Sequence, residues 1–345
     1  MATQKKHTYS SSGVDLAAIH TIQNRVNSML KGTANAYTQE MVIGHYAGVY
    51  ESGGQRFAVH CDGVGSKILV AAAMGKHDTV GIDAVAMNVN DLVCVGAKPM
   101  VGVDYIALSR PDDELVEQVM IGLTEGCRQS GMALVGGETA ILPEMIKGAE
   151  ITAKSAKNRF ADYDLALTAV GIVEGELITG EKMAPGDALI GLGSSGLHSN
   201  GYSLARQILN TKRWGQEMLA PTRIYVKPVL EMIGTGHVHG LAHITGGAFS
   251  KLSRIGKHGR VGFVLDQMPK PSGVFAEVSR KLRDDREAYR TFNMGVGMVV
   301  AAPAGMVSVL TAIARKHDVP SQVIGYVSEK QDVMLHKDGK KISLL

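Results

Sequence analysis

Cys61-Asp62-Gly63-Val64-Gly65-Ser66-Lys67 places an acid, two glycines, a hydroxyl and a lysine in one short stretch. Glycines let backbone N–H groups approach a phosphate closely, and a lysine adds a compact positive charge. An aspartate beside them suits Mg²⁺, which prefers carboxylate, phosphate oxygens and water. The chemistry this combination suggests is a magnesium-nucleotide phosphate site, with Gly63, Gly65, Ser66 and Lys67 on the phosphates and Asp62 on the metal. The spacing is not that of a Walker A loop. Taken alone, the six residues from Asp62 also fit an ordinary Asp-Gly turn in a hairpin.

Four other constellations belong with it. In Asn88-Val89-Asn90-Asp91, polar residues interrupt an apolar helical pattern. A carboxylate in such surroundings wants a cation or several hydrogen bonds, so Asp91 pairs with Asp62 as a candidate magnesium ligand and Asn90 joins the nucleotide contacts. Asp83 is eight residues earlier, ~80° away around a helix at ~100° per residue, and need not share a face with Asp91. Gly136-Gly137-Glu138-Thr139 follows a short apolar run. At the carboxyl end of a strand, Gly136, Gly137 and Thr139 would contact the nucleotide, and Glu138 would join the metal shell or position a water; the plain alternative is a glycine turn with an exposed acid.

Gly193-Ser194-Ser195-Gly196-Leu197-His198-Ser199-Asn200-Gly201 lies between an apolar strand and a helix. That is the recipe for an anion site, with Ser195, Gly196, Ser199, Asn200 and Gly201 as phosphate contacts, or for a simple capped loop. His243-Ile244-Thr245-Gly246-Gly247 ends another apolar segment. A lone histidine is usually structural, but beside Thr-Gly-Gly it could touch phosphate or move a proton. His198, His243 and Asp91 are the candidate catalytic residues. Thr291 to Met298 reads mainly as structural, with Asn293 lining the site at most.

The elements that must position these residues can be read from periodicity. Helices are expected over Leu16–Leu30, from Ile68, over Val80–Val95 and Asp112–Ser130, from about Asn200 to Asn210, and over Val226–Ile233. Strands are expected at Phe57–Cys61, Val101–Leu108, Leu165–Val173, Ala188–Leu192, Val261–Leu265, Gly295–Ala302 and Ser321–Val327. A short buried strand is expected at Ala133–Val135, and 44–54 reads as turn-rich. Strands and helices alternate in both halves, so the class is α/β or α+β. The polar stretch Glu174–Gly186 divides the chain into a mobile arm at 1–12, an N-terminal domain at 13–175 and a C-terminal domain at 176–345.

Composition bounds the function. The chain has 345 residues, 45% apolar and 20% charged, enough to bury a substantial core. A net charge of +3 and 5% aromatic residues argue against nucleic acid. No apolar stretch reaches the ~20 residues of a membrane helix. Cys61, Cys94 and Cys127 stand far apart without a CxxC pair, which fits reduced thiols in a cytoplasmic protein.

Together these segments resemble the aminoimidazole ribonucleotide synthetase (phosphoribosylformylglycinamidine cyclo-ligase) family over nearly the whole chain. The landmarks are Gly13-Val14-Asp15, Asp62 to Lys67, Gly81-Ile82-Asp83 with Asn90-Asp91-Leu92, Gly136 to Ala140, Ser195 to Ser203, Ala220-Pro221-Thr222-Arg223-Ile224-Tyr225, His243 to Gly247 and Phe292 to Met298. The resemblance implies ATP-dependent closure of formylglycinamidine ribonucleotide to aminoimidazole ribonucleotide. The formyl oxygen is phosphorylated, the amidine nitrogen attacks that carbon, and phosphate leaves. It implies ATP and Mg²⁺ at the acidic cluster and the substrate 5′-phosphate at the Ser/His/Asn loop. It also implies a homodimer whose N-terminal sheets pair across a two-fold axis, and a C-terminal domain with a mixed sheet flanked by helices. This chain departs from the family pattern at Cys61 and Ser66, where threonines are common, at Ile141, where many members carry an acid, and in the reduced glycine stretch Gly44 to Gly48.

Overall fold

Two mixed sheets organise the computed structural model, which describes residues 8, 10–14, 16–33, 35, 38, 41–43, 45–146, 160 and 162–345. The first sheet contains β1 (Met41–Val42), β2 (Gly48–Ser52), β3 (Gln55–Gly63), β4 (Lys98–Leu108), β5 (Ala133–Ile141) and β6 (Tyr163–Val173), in the order β1-β2-β3-β6-β4-β5. The second contains β7 (Ala188–Gly193), β8 (Gly240–His243), β9 (Gly262–Leu265), β10 (Val296–Ala302), β11 (Ser321–Ser328), β12 (Val333–Lys337) and β13 (Lys340–Ser343), in the order β13-β12-β9-β11-β7-β10-β8. Pairing is antiparallel except β4 with β5 and β12 with β9. The arm expected at 1–12 lies largely outside the described residues, as do Asp15 and Gly44.

The helices are α1 (Leu16–Leu30), α2 (Ile68–Met74), α3 (Val80–Cys94), α4 (Asp113–Ser130), α5 (Tyr202–Ile208), α6 (Thr211–Met218), α7 (Val226–Ile233), α8 (Leu252–Gly259), α9 (Gly273–Leu282), α10 (Asp285–Thr291) and α11 (Val307–Lys316). Their ends follow local chemistry. The Asp112 carboxylate accepts from the Leu115 N–H at 3.1 Å, and Gly131 closes α4 with a left-handed φ of 73°. Among the described residues, no helix is long and apolar enough to cross a membrane.

The first sheet is two-faced. Along β6, Tyr163, Leu165, Leu167 and Ala169 are buried, while the residues between them are at least partly open. This is the alternation of an antiparallel sheet covered on one side. The cover includes α3, which is apolar around most of its circumference and therefore sinks on all sides. It packs against β3, β6 and α4 of the N-terminal half, and against β8 and α7 of the C-terminal half. The crossing of α3 and α4 requires glycine. A Cβ at Gly81 would collide with the backbone at Leu123 and Val119, and one at Gly122 with the backbone at Asp78 and Gly81.

Several expectations change. The turn-rich 44–54 segment contains β2. Asp62 and Gly63 still belong to β3, so the loop begins at Val64. The short buried strand at Ala133–Val135 is instead the exposed edge strand β5, which runs through Gly136-Gly137-Glu138-Thr139 to Ile141. Glycine pairs misled because they usually mark a stop. Here Gly137 sits opposite Asp104, whose carboxylate fills the space a Cβ would need. The β12–β13 hairpin, β8, α6 and α8 to α11 were not foreseen.

His77, between α2 and α3, gives the N-terminal half an acid sensitivity. It is fully buried, its Nδ1 is 2.8 Å from the Tyr163 hydroxyl, and its Nε2 has no partner among the described residues. Burial pulls its pKa from 6.5 down to about 4. Between those values the unfolded chain binds a proton that the folded chain refuses, so the stabilisation is complete above pH 6.5 and is lost as pH falls toward 4. Urea denaturation across that range should show stability falling with acid. His77→Gln should flatten the slope by up to about one proton; an unchanged slope would exclude His77 as the source.

Candidate active site between the two sheets

The Asp62–Lys67 loop leads into the junction between the halves, and Lys67 is its most buried charge. The Lys67 ammonium lies 2.9 and 2.8 Å from the two Asp83 oxygens. It also donates to the backbone carbonyls of His198 at 3.1 Å and Ala220 at 2.7 Å. All three N–H bonds are committed, which corrects the assignment of Lys67 to nucleotide phosphates: it ties two C-terminal loops to α3. Burial lowers the Lys67 pKa and raises that of Asp83, and each partner opposes the shift of the other. Asp83 Oδ1 also accepts from the Thr222 N–H at 2.8 Å and its hydroxyl at 2.5 Å.

Two turns along α3 the polar side chains serve a different centre, as the angular offset between Asp83 and Asp91 requires. Asp91 Oδ1 accepts from His243 Nδ1 at 2.7 Å, and Oδ2 lies 3.3 Å from His60 Nε2. Burial pushes the Asp91 pKa up, but His60, the hydrogen bond from His243 and Lys251 outweigh it, and the net shift is downward. Asp62 shares the helix-covered face of β3 with His60. Burial raises its pKa, and the Asp91 charge raises it further. Two carboxylates in mutual repulsion on a buried face are the donor set a divalent cation relieves. Asn88 aligns the row, donating to the Asp62 carbonyl at 3.1 Å and accepting from His60 Nδ1 at 3.0 Å. Asn90 donates to the Arg223 carbonyl at 2.9 Å, accepts from the Tyr225 N–H at 2.9 Å and faces His243 Nε2 at 3.4 Å. It is committed to the junction, not turned toward a nucleotide.

His198 lies behind this centre, fully buried, with a left-handed φ of 61°. Its Nε2 accepts from the Ser195 N–H at 3.3 Å, leaving Nδ1 without a partner among the described residues. Burial first, then His243, Lys67 and Arg223, lowers its pKa well below the usual value, so the ring is neutral. A Cβ at Gly297 would collide with both this ring and the Tyr225 hydroxyl. The remaining loop residues are largely occupied. The Ser199 hydroxyl donates to the Val64 carbonyl at 2.7 Å, Asn200 Nδ2 faces Met87 Sδ at 3.8 Å, and Gly196 accepts from Asn293 Nδ2 at 2.9 Å. Gly201 begins α5 with a φ of 75°. Ser66 Oγ reaches Ser203 Oγ at 3.5 Å, and Gly65 takes a φ of 66° at the turn after Gly63.

The structure does not bring Glu138 to this centre. Asp62, Leu167, Asp104 and Gly137 form one row across the sheet, and Gly63, Ala166, Tyr105 and Glu138 form the next. Adjacent rows point to opposite faces. Glu138 therefore stands on the open face with Tyr105, three strands from β3, or ~14 Å at ~4.8 Å per step. Among the described residues, no group of three or more His, Cys, Asp or Glu is arranged to hold a metal. Gly136 and Thr139 are likewise exposed on β5.

Two residues the sequence reading missed complete the centre. His60 could have been found by its position two residues before Asp62, on the same strand face. Lys251 had no such signal. It donates to the Thr245 hydroxyl and faces Asp91 and Asp62, while burial, with Arg254, lowers its pKa to about 8.

The Lys67–Asp83 pair has a stability signature. Lys67→Met strands a buried carboxylate and should cost about 3–5 kcal/mol in denaturant unfolding. Adding Asp83→Asn, which keeps an acceptor for Thr222, should recover part of that loss. Calorimetry on the double variant should find ATP affinity near wild type. A large loss of ATP affinity there would restore the phosphate role of Lys67.

Comparison with known proteins converges on one family. A family model described as AIR synthase related protein, N-terminal domain, matches residues 44–173, and its C-terminal counterpart matches residues 184–338. Phosphoribosylformylglycinamidine cyclo-ligase of Pyrococcus furiosus is 41% identical, covering 97% of this chain and 99% of that protein. The protein of the same name from Methanocaldococcus jannaschii is 42% identical, covering 97% and 95%. Solved structures share the fold at low identity. The HypE–HypF complex gives a TM-score of 0.66 at 17% identity, over 95% of this chain and 98% of that one. ThiL complexed with AMPPCP and TMP gives 0.64 at 17%, over 95% and 96%. Fold, landmarks and near-full-length relatives agree that the chain belongs to the phosphoribosylformylglycinamidine cyclo-ligase family.

Proposed function

We infer that this protein is the ligase that closes formylglycinamidine ribonucleotide to aminoimidazole ribonucleotide while ATP becomes ADP and phosphate. The names of its full-length relatives support the reaction, and the likeness to a structure titled T. maritima PurL complexed with ATP fits a nucleotide-binding fold. The observation in the site that carries the reading is the bond between Asp91 and His243 where the two halves meet. An imidazole that donates from Nδ1 to a carboxylate keeps Nε2 as an acceptor. In that form Asp91 holds the tautomer and orientation of His243, whose Nε2, 3.4 Å from the Asn90 amide nitrogen, would take the proton from the attacking amidine nitrogen.

Asp62 and Asp91 are the residues that would hold Mg²⁺. The metal, when bound, supplies charge neutralisation at the phosphate oxygens. Lys251, facing both acids, is the cation nearest that role among the side chains. Residues 13–175 carry the nucleotide end and 176–345 the substrate-phosphate end. His198 lines the junction as a neutral donor. The open face of the first sheet is the homodimer surface in this reading: Val103 and Tyr105 are 43% and 41% exposed beside the unpaired edge of β5, and a second copy stacked there would cover them and receive Glu138.

Purified protein supplied with ATP, Mg²⁺ and formylglycinamidine ribonucleotide should release ADP and form aminoimidazole ribonucleotide together. ADP release that ignores this substrate would overturn the reading. Asp91→Asn should lower kcat by about 10²- to 10⁴-fold with an unchanged circular dichroism spectrum; wild-type turnover would remove its assigned role. Sedimentation should show a dimer, and Val103→Lys with Tyr105→Lys should shift it to monomer. A variant that still sediments as a dimer places the interface elsewhere.

A further inference from the structure

A cleft of about 400 Å³ opens between α4, the Pro221–Ile224 loop, α7 and the end of α11. Its lining includes Arg128, Ser195, Arg223, Lys227 and His317 and, among the described residues, no aspartate or glutamate. Two of these side chains are already matched. Arg128 meets both Glu125 oxygens at 2.8 and 2.7 Å, and His317 Nε2 meets Glu231 at 2.7 Å. Arg223 and Lys227 are not. Arg223 makes one long bond, Nη1 to the Asp318 carbonyl at 3.3 Å, while its Nε is buried without a partner among the described residues. Lys227, in the first turn of α7, has no ion pair among the described residues. The positive end of the α7 dipole points the same way.

We propose that this cleft binds the 5′-phosphate of the ribonucleotide substrate, held by Arg223 and Lys227. The proposal rests on the ring-closure reading and changes its phosphate subsite. A phosphomonoester carries a charge approaching −2 near neutrality, which two unmatched cations balance. A guanidinium with free donors on one edge suits two phosphate oxygens, and the cleft volume suits a phosphoribosyl group. By contrast, Ser199 and Asn200, to which the sequence reading gave this role, are engaged in holding the halves together, and Gly201 begins α5 with a left-handed φ. Ser195 lines the cleft, but its hydroxyl donates to the Pro221 carbonyl at 2.5 Å and its N–H to His198, so it is committed as well.

The cleft also lies at a useful distance from the chemistry. The Asn90 side-chain amide donates to the Arg223 carbonyl and faces His243 Nε2. One side chain therefore separates the Arg223 backbone from the Asp91–His243 pair.

Calorimetric titration with ribose 5-phosphate, and with ribose as a neutral control, tests the cleft directly. Wild type should bind the phosphate ester and not ribose. Arg223→Gln and Lys227→Gln should each weaken binding by roughly 10- to 100-fold, since each removes a charge-assisted contact, and ATP affinity should not change. In steady state the same substitutions should raise KM for formylglycinamidine ribonucleotide over that range, with kcat within about 3-fold and KM for ATP unmoved. Arg223→Lys keeps charge without the fork and should fall between, which separates recognition from misfolding. Wild type that closes the ring with a KM untouched by both Gln substitutions keeps the reaction and overturns the cleft. Ribose 5-phosphate binding that Arg223→Gln abolishes, in a wild-type protein that forms no aminoimidazole ribonucleotide, retains the cleft as a phosphate site and overturns the reaction.

Discussion

An ammonium and a carboxylate removed from water together each lose several kcal/mol of hydration, which their attraction offsets only with good geometry and further hydrogen bonds. Lys67 and Asp83 meet that condition by drawing partners from the other half of the chain: the His198 and Ala220 carbonyls on one side, the Thr222 amide and hydroxyl on the other. The pair is satisfied only when the C-terminal loops are in place. A buried charge thus specifies how the halves dock, which is the use buried ion pairs serve best. The arrangement fixes the path of the chain from Ala220 to Tyr225, and with it the position of Arg223 at the cleft and of Tyr225 against His198.

The same logic extends along α3. A helix enclosed on every side cannot leave a polar side chain to solvent, so each of its polar residues must find a partner in another element. Asp83 takes Lys67 and Thr222, Asn88 takes His60, Asn90 takes the Arg223–Tyr225 backbone, and Asp91 takes His243 and His60. These bonds join β3, α3, β8 and the loop before α7 into one network. Side chains held this way are placed by packed elements instead of flexible loops.

Much of this was legible in the sequence. Strong periodicity placed α1, α3, α4 and α7, and the apolar runs placed β6, β7 and β10, because burial in a regular element leaves a repeating mark. Asp91 stood out because polar residues interrupting an apolar helix must be satisfied, and Asp62, His198 and His243 because they sit in glycine-rich loops at the ends of apolar strands. What failed was partner choice. Lys67 in a glycine loop has the composition of a phosphate ligand, and nothing local shows that Asp83 sixteen residues later and two carbonyls far along the chain already claim it. Lys251 was missed for the same reason: its meaning comes from Asp62 and Asp91, which only the fold brings near. The cleft side chains were equally silent, since Arg128, Arg223, Lys227 and His317 are brought together only by the fold.

Glu138 shows how firmly a sheet fixes direction. A one-residue slip of β5 against β4 would turn its carboxylate to the helix-covered face that Asp62 shares. Asp104 prevents it. Its carboxylate occupies the space above Gly137, and either neighbour, Gly136 or Glu138, brought to that place would change the fit: glycine could enter, but it would carry Glu138 further along the strand and Thr139 with it, breaking the β4–β5 pairing from Val103 to Leu108. The register is therefore pinned and the carboxylate stays on the open face. A role for Glu138 in the reaction cannot be met from its own Asp62 and Asp91; it requires a surface laid against that open face. The apolar side chains flanking it, Val103 and Tyr105, are the chemistry a second copy of this sheet would cover.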